Sequence, residues 1–371
     1  MIYNYVAPCH FGLEKTLTFE IKKIGGENVR AENGRVFFSG GADICAKANV
    51  FLRTAERVCA VLGQFRAATF DELFEGIRKL PLSEFIGKND KFPNNGHSLN
   101  SKLTSVPAIQ KIVKKAMAVN LGKAYGVGIM PESGAECRIR FSLMKDEFTL
   151  MLDTSGQGLH KRGYRRDSNA APIRETLAAG IVDIARVRAG DIVCDPFCGS
   201  GTLLIESAMK ALDIAPGLKR RFDGEHMKFL PASAWAAARE EARSLIKKDS
   251  EFRAVGFDID KECVELTAAN AKIAGVDGCI AVERRDIRDF VYPEGAVKIL
   301  TNPPYGERML EISEARKIYE TMGERLLPLN GNQLYLITPD EEFEDIFGAK
   351  ADKNRKLYNG MMMCRLYSYF R

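Results

Sequence analysis

The chain has 371 residues, 46% hydrophobic and 28% charged, the balance of a soluble globular protein with room for two or three domains. No run of about 18 apolar residues occurs, and the N-terminus MIYNYVAPCHFGLEK lacks a basic stretch followed by an apolar one, so a cytoplasmic protein is expected. Nine scattered cysteines and four histidines, without paired zinc-site spacing, point to a reducing compartment and to no disulfide framework or structural metal.

Residues 1–43 alternate short apolar runs with glycine-rich turns around a helical pattern at 12–24, a small α+β unit. A second unit is expected over 44–155. In it CAKANVFLRTAERVCAVL (45–62) and FDELFEGIRKL (70–80) read as helices, with Phe70, Leu73, Phe74 and Ile77 at core spacing. A lysine-rich stretch, 88–123, carries seven lysines against one acid, Asp90, and includes a helix over 107–121. Strand-like CRIRFSLM and EFTLMLD follow. Residues 1–155 hold 21 Lys and Arg against 16 Asp and Glu, whereas the remainder holds 33 of each, so the whole excess of +5 lies in the N-terminal part. A polyanionic partner explains that asymmetry, and a solvated helix face would also produce it.

The glycine-punctuated, basic segment GLHKRGYRR (158–166) reads as a hinge into a third unit, 156–371. There strands and helices alternate: DIVC leads to Asp195, RAVGF to Asp258, CIAVE to Asp286 and VKILT to Asn302. Helices TLLIESAMKAL, KECVELTAANAKIAG and 314–327 intervene, QLYLIT follows, and Asn359-Gly360 marks a terminal hairpin. The order predicts an α/β fold, a mostly parallel sheet covered by helices, with an antiparallel strand added at or near one edge.

Four polar residues at successive strand ends face one crevice in such a sheet. Each alone could be a helix N-cap; together they argue for a shared ligand. In DPFCGSGT, Gly199 and Gly201 allow a tight turn into a helix starting near Thr202, whose free N–H groups suit an anion. A dinucleotide fits poorly, because Leu204 replaces the third glycine and the next strand-end acid, Asp258, lies 57 residues beyond Gly201. Asp195 before the glycines suits an ammonium beside a carboxylate. Asp260 is placed as a helix N-cap, leaving Asp258 for ribose hydroxyls. Asp286 and Ile287 suit an adenine amino group and ring. Those four features spell S-adenosylmethionine. In TNPPYGER, Pro303 and Pro304 fix the backbone, Asn302 and the Pro303 carbonyl can accept both hydrogens of an exocyclic amine, and Tyr305 can stack on a base.

With DPFCGSGT, GFDID, RRDIRDF and NPPYGER in this order, preceded by LHKRGYR and interrupted by IAPGLKRRF, the chain resembles bacterial THUMP-domain class I methyltransferases of the UPF0020 type. These modify guanine N2 in 23S ribosomal RNA. The resemblance implies a ferredoxin-like unit over 1–43, an RNA-gripping THUMP domain over 44–155 and a Rossmann-like catalytic domain over 156–371. It implies S-adenosylmethionine as cofactor, contacted by Asp195, Phe197, Cys198, Gly199, Ser200, Gly201, Thr202, Asp258, Ile259, Asp286, Ile287 and Asn302. Asn302, Pro303, Pro304 and Tyr305 would form the catalytic loop. Structured RNA, as 23S rRNA or a precursor of the large subunit, is the expected partner, held by Lys102, Lys111, Lys114, Lys115, Lys123, Lys161, Arg162, Arg165 and Arg166. Two-headed members carry a second methyltransferase half that this sequence lacks, so one modification is expected. Guanine-N2 methylation of tRNA and a non-catalytic role in ribosome assembly stay open. Glu307 is a candidate acceptor for guanine N1–H, with an ion pair or helix start as its plainer role.

Overall fold

Side-chain alternation and turn chemistry build two seven-stranded sheets. The computed structural model describes residues 1–165, 173–306, 309–360 and 362–370. Its first half runs β1 (Tyr3–Pro8), α1 (Glu14–Lys23), β2 (Glu27–Glu32), β3 (Arg35–Gly40), α2 (Ala42–Phe51), β4 (Cys59–Arg66), α3 (Phe70–Arg78), β5 (Asn94–Leu99), α4 (Val106–Tyr125), β6 (Ile139–Met144) and β7 (Glu147–Asp153). The strand order is β2-β3-β1-β4-β7-β6-β5. Strand β4 pairs antiparallel with β1 on one side and β7 on the other, so the first two units share one sheet.

The stretch 45–62 is not one helix. Leu52 leaves α2 in an extended conformation, and β4 begins at Cys59. Periodicity cannot assign a short apolar run such as VCAVL, and pairing on both flanks decides it. Leu73 and Ile77 of α3 are buried as expected, whereas Phe70 is 37% exposed. A Thr69–Glu72 capping box starts α3. Ser105 caps α4 at its N-terminus, and Gly126, left-handed at φ 66°, ends it.

The second half continues α5 (Glu175–Ile184), β8 (Ile192–Asp195), α6 (Thr202–Ala211), α7 (Ala232–Ser244), β9 (Arg253–Asp258), α8 (Lys261–Ala274), β10 (Ile280–Arg284), β11 (Val297–Thr301), α9 (Met309–Leu326), β12 (Gln333–Thr338), α10 (Phe343–Phe347), β13 (Lys353–Asn359) and β14 (Met362–Tyr369). Strands β10-β9-β8-β11-β12 are parallel. Strand β14 adds antiparallel to β12, and β13 closes the edge. The strand order reverses between β8 and β11, which opens a crevice beyond their carboxyl ends. Among the described residues no helix is long and apolar enough to cross a membrane.

Over 158–165 the expected hinge is instead fastened on both sides. Leu159 N–H donates to the Glu56 carbonyl at 2.9 Å. The Arg162 guanidinium donates to the Leu159 carbonyl at 2.6 Å, to Glu206 at 3.3 Å and to the Arg53 carbonyl. Residues after α6 reinforce the junction: Ala215, Phe222, Trp235 and Ala242 pack in the same core as Tyr5, Val50 and Phe141. A glycine-rich basic segment reads as a hinge only when its arginines are solvated, and here Arg162 is buried against Glu206 while Arg165 is half-buried beside Glu175.

Candidate active site

The crevice is built from turns that tie the strand ends to one another. Asp195 closes β8 and is 2% exposed. Its Oδ1 accepts the Phe197 N–H at 3.1 Å and the Thr301 hydroxyl, from the end of β11, at 2.8 Å. Burial pushes its carboxyl up to about 7; those hydrogen bonds oppose the shift and the nearby Asp258 charge adds to it.

The glycine turn is clamped by the neighbouring strand and helix. Cys198 N–H donates to the Phe257 carbonyl, Thr267 donates to the Gly199 carbonyl at 2.8 Å, and Asn270 donates to the Ser200 carbonyl at 2.9 Å. Gly201 precedes α6 at φ 78°, and a Cβ there would lie 2.6 Å from the Thr267 methyl. A Cβ on Gly199 would meet nothing within 4 Å, so the turn leaves open space beside its backbone. Asp258 is not wholly free for a ligand: Oδ2 accepts Gly199 N–H and Oδ1 accepts Asp260 N–H, each at 3.0 Å. These bonds orient the carboxylate and leave it further lone pairs. Asp260 caps α8 through Glu262 N–H, as its position predicts.

Asp195, Phe197, Cys198, Gly199, Ser200, Thr202, Asp258, Ile259, Asn302, Pro303, Pro304 and Tyr305 line one cavity of about 630 Å³. Gly201 shapes the turn behind that wall. Asp286 and Ile287 line an adjacent hollow of about 240 Å³, and Phe197, Ile259 and Ile318 border both. Asp286 accepts the Arg288 N–H and pairs with its guanidinium at 2.6 Å, which holds the carboxyl below its ordinary range. An adenine amino group would have to share this carboxylate with Arg288.

Sequence reasoning missed several residues of the site. Tyr319 of α9, fully buried, donates toward the Pro304 carbonyl at 3.3 Å and is 2.9 Å from the Thr338 hydroxyl. Ile173, Leu203, Glu311 and Ile318 complete the cavity wall. Thr301 had a signal, standing at a strand end beside NPPY; the α9 residues look like ordinary helix positions. The basic residues divide. Lys102, Lys111, Lys115, Lys123 and Lys161 are exposed. Lys114 pairs with Glu132 at 2.6 Å and lies 3.5 Å over the Phe92 ring. Arg165 reaches the Thr202 hydroxyl, the Ile173 carbonyl and Glu175. Arg162 is corrected from an RNA contact to a brace, because its side chain is 2% exposed against Glu206. Arg166 and Glu307 lie outside the described residues.

A glycine turn clamped at the switch point of a mostly parallel sheet, beside an N-P-P-Y loop, defines a class I methyltransferase. Family models match along the chain: an RlmL ferredoxin-like domain over 4–59, a THUMP domain over 67–153 and an RMKL-like methyltransferase domain over 162–368. The chain belongs to this RMKL-like methyltransferase family. It is 39% identical over 99% of its length to the YpsC protein of Bacillus subtilis (strain 168), covering 96% of it. It is 32% identical over its full length to the ribosomal RNA large subunit methyltransferase K/L of Cellvibrio japonicus, and spans about half (51%) of that protein. The crystal structure of SMU.472, complexed with SAH, superposes with a TM-score of 0.94 at 37% identity, covering 100% of this chain and 98% of that one. SAH is what S-adenosylmethionine becomes once its methyl is given up, so that neighbour holds the spent form of a methyl donor.

Proposed function

We propose that this chain methylates the exocyclic N2 amine of a guanine in large-subunit (23S) ribosomal RNA, in the cytoplasm. The observation that carries the reading is that Asn302–Tyr305 line the same cavity as Asp195 and Asp258, so a base at the loop would meet a cofactor at the turn. The rRNA substrate is supported by the K/L relatives, of which this chain spans about half, and by the THUMP match with the lysines exposed along α4.

The cavity walls fit the cofactor: a buried acid for an ammonium, open space beside Gly199, an oriented carboxylate at Asp258, and apolar Ile259 and Ile287 for a ring. When bound, S-adenosylmethionine supplies an electrophilic methyl group. The Asn302 carboxamide oxygen and the Pro303 carbonyl accept the two amine hydrogens and fix where the nitrogen lone pair points. Tyr305 stacks on the base, and Tyr319 holds the loop through the Pro304 carbonyl. An aromatic amine is a weak nucleophile, so placement carries much of the rate. Once methylated it is acidic and releases its extra proton to water, so no histidine base is needed. The target guanine must leave its stack to reach Asn302.

Mass spectrometry of nucleosides from cells lacking the protein tests the reading. Loss of N2-methylguanosine from 23S rRNA is expected. Loss from tRNA instead would move the substrate, and no loss from either would overturn the proposal. Purified Asn302→Ala should bind S-adenosylmethionine yet transfer methyl at least about 100-fold more slowly.

A further inference from the structure

A hollow of about 890 Å³ lies apart from the methyl-transfer crevice. It lies where α1 meets the amino-terminal ends of β11 and β12 and the outer hairpin, with Lys15 and Phe19 on one wall and Lys353 and Arg355 on the other. Strands β8, β11 and β12 are parallel, so this groove opens at the end of the sheet opposite Asp195 and Asn302. Strands of four to six residues, rising about 3.3 Å each, separate the two ends by about 10–20 Å.

Its electrostatics are one-sided. Lys15, Arg186, Arg188, Lys353 and Arg355 are exposed, and none of them forms a salt bridge among the described residues. The two acids in its walls are already matched: Asp183 by Lys210 and Asp191 by Lys298, each at 2.6 Å. Two aromatic rings stand among these cations, Phe19 at 61% and Phe370 at 37% exposure, with the Lys353 ammonium 5.8 Å from the Phe370 ring centre. Unpaired cations interleaved with exposed rings match the two repeating features of a single strand of RNA: the cations meet phosphates and the rings stack on bases. An acidic peptide would use the cations and leave the rings in water.

We propose that this groove holds a single-stranded stretch of the substrate RNA, a second grip behind the catalytic sheet that lets the RNA pass around it. The inference rests on the RNA reading above and adds a site to it. A base stacked on Phe19 is worth about 1–3 kcal/mol, or about 5–150-fold in affinity. Each single-strand phosphate contact contributes about 0.7 to the slope of log affinity against log salt.

The test is fluorescence anisotropy with labelled oligouridylate and with transcribed 23S rRNA, using full-length Phe19→Ala and the double variant Lys353→Glu/Arg355→Glu. Folding is checked by melting temperature and by S-adenosylmethionine affinity, both expected to match wild type. Phe19→Ala should lose at least about 5-fold in oligouridylate affinity. The double variant should lower the salt slope by about 1.4 and raise KM for rRNA with kcat unchanged. Wild-type affinity and salt slope in both folded variants would overturn the groove. Because binding is read without turnover, a wild-type protein that methylates no RNA would remove the functional reading and leave the groove to be decided by affinity.

Discussion

The Thr301 hydroxyl, at the end of β11, donates to Asp195 Oδ1, at the end of β8, across 2.8 Å. That bond joins the two strands between which the crevice opens, and it holds in place an acid whose carboxyl is raised to about 7 by burial.

A pH dependence follows. Below about 7 Asp195 is neutral and cannot attract an ammonium; above it the carboxylate forms. S-adenosylmethionine affinity should therefore rise with pH through about 7 and level off above it. The cofactor-free protein should show the opposite sign. The raised carboxyl favours the folded state while it stays protonated, and that contribution is lost as pH rises through the folded value. Asp195→Asn should flatten both curves. Calorimetric titration and thermal melts across a pH series check this, and an unchanged affinity profile in Asp195→Asn would remove the ammonium assignment.

Tyr319→Phe tests how the N-P-P-Y loop is held. The variant keeps the buried ring, with its edge contact to Phe343, and loses only the hydroxyl that reaches the Pro304 carbonyl and Thr338. On the proposed role of the loop a small shift would misplace the amine, so kcat should fall by up to about 100-fold while S-adenosylmethionine affinity stays near wild type. Single-turnover kinetics with rRNA separates the two. Wild-type kcat would mean that the two prolines alone fix the loop.

The motifs NPPY, DPFCGSGT and GFDID were legible because backbone geometry forces their residue types: glycines where φ is positive, prolines where a loop must be rigid, acids at strand ends. Tyr319 was not legible, since a tyrosine in an amphipathic helix carries no mark of what its hydroxyl touches. Arg162 was misread for a related reason. Sequence gives the charge of GLHKRGYRR but not the carboxylate of Glu206, 44 residues on, that buries it. Strand β4 was hidden in a helix-like run because its pairing partners, Tyr5 and Val6 on one side and residues 147–153 on the other, are remote in sequence.

Gly201→Ala probes the turn itself. The residue sits at φ 78°, and its Cβ would be 2.6 Å from the Thr267 methyl, while Thr267 also donates to the Gly199 carbonyl. Relieving the clash moves Thr267 and loosens the turn. Strain of about 1–3 kcal/mol should appear in urea unfolding, together with weakened S-adenosylmethionine binding. Gly199→Ala, whose added carbon meets nothing within 4 Å, keeps the backbone strain and loses only the clash. It should therefore be the milder of the two in unfolding, and the reverse order would contradict the clash.

Arg162 offers the sharpest separation between a structural and a functional cation. Its pair with Glu206 is almost fully buried, at 2% and 0% side-chain exposure, and Tyr164 donates to the same carboxylate oxygen at 3.1 Å. The Arg53 guanidinium donates to the Met209 and Ile214 carbonyls, and the Arg53 carbonyl accepts from Arg162, so both halves of the chain meet at this cluster. Removing one partner leaves an uncompensated buried charge, which costs about 3–5 kcal/mol. Arg162→Ala should therefore lower the urea midpoint strongly. The salt slope of RNA binding, measured on the fraction still folded, should not change, because no phosphate reaches the buried guanidinium. Lys161→Ala, one residue earlier and exposed, should do the reverse, leaving stability within about 0.5 kcal/mol and reducing the salt slope. If Arg162→Ala shifted only the RNA salt slope, the guanidinium would have to be reachable by phosphate, and the junction between the halves would have to open in solution.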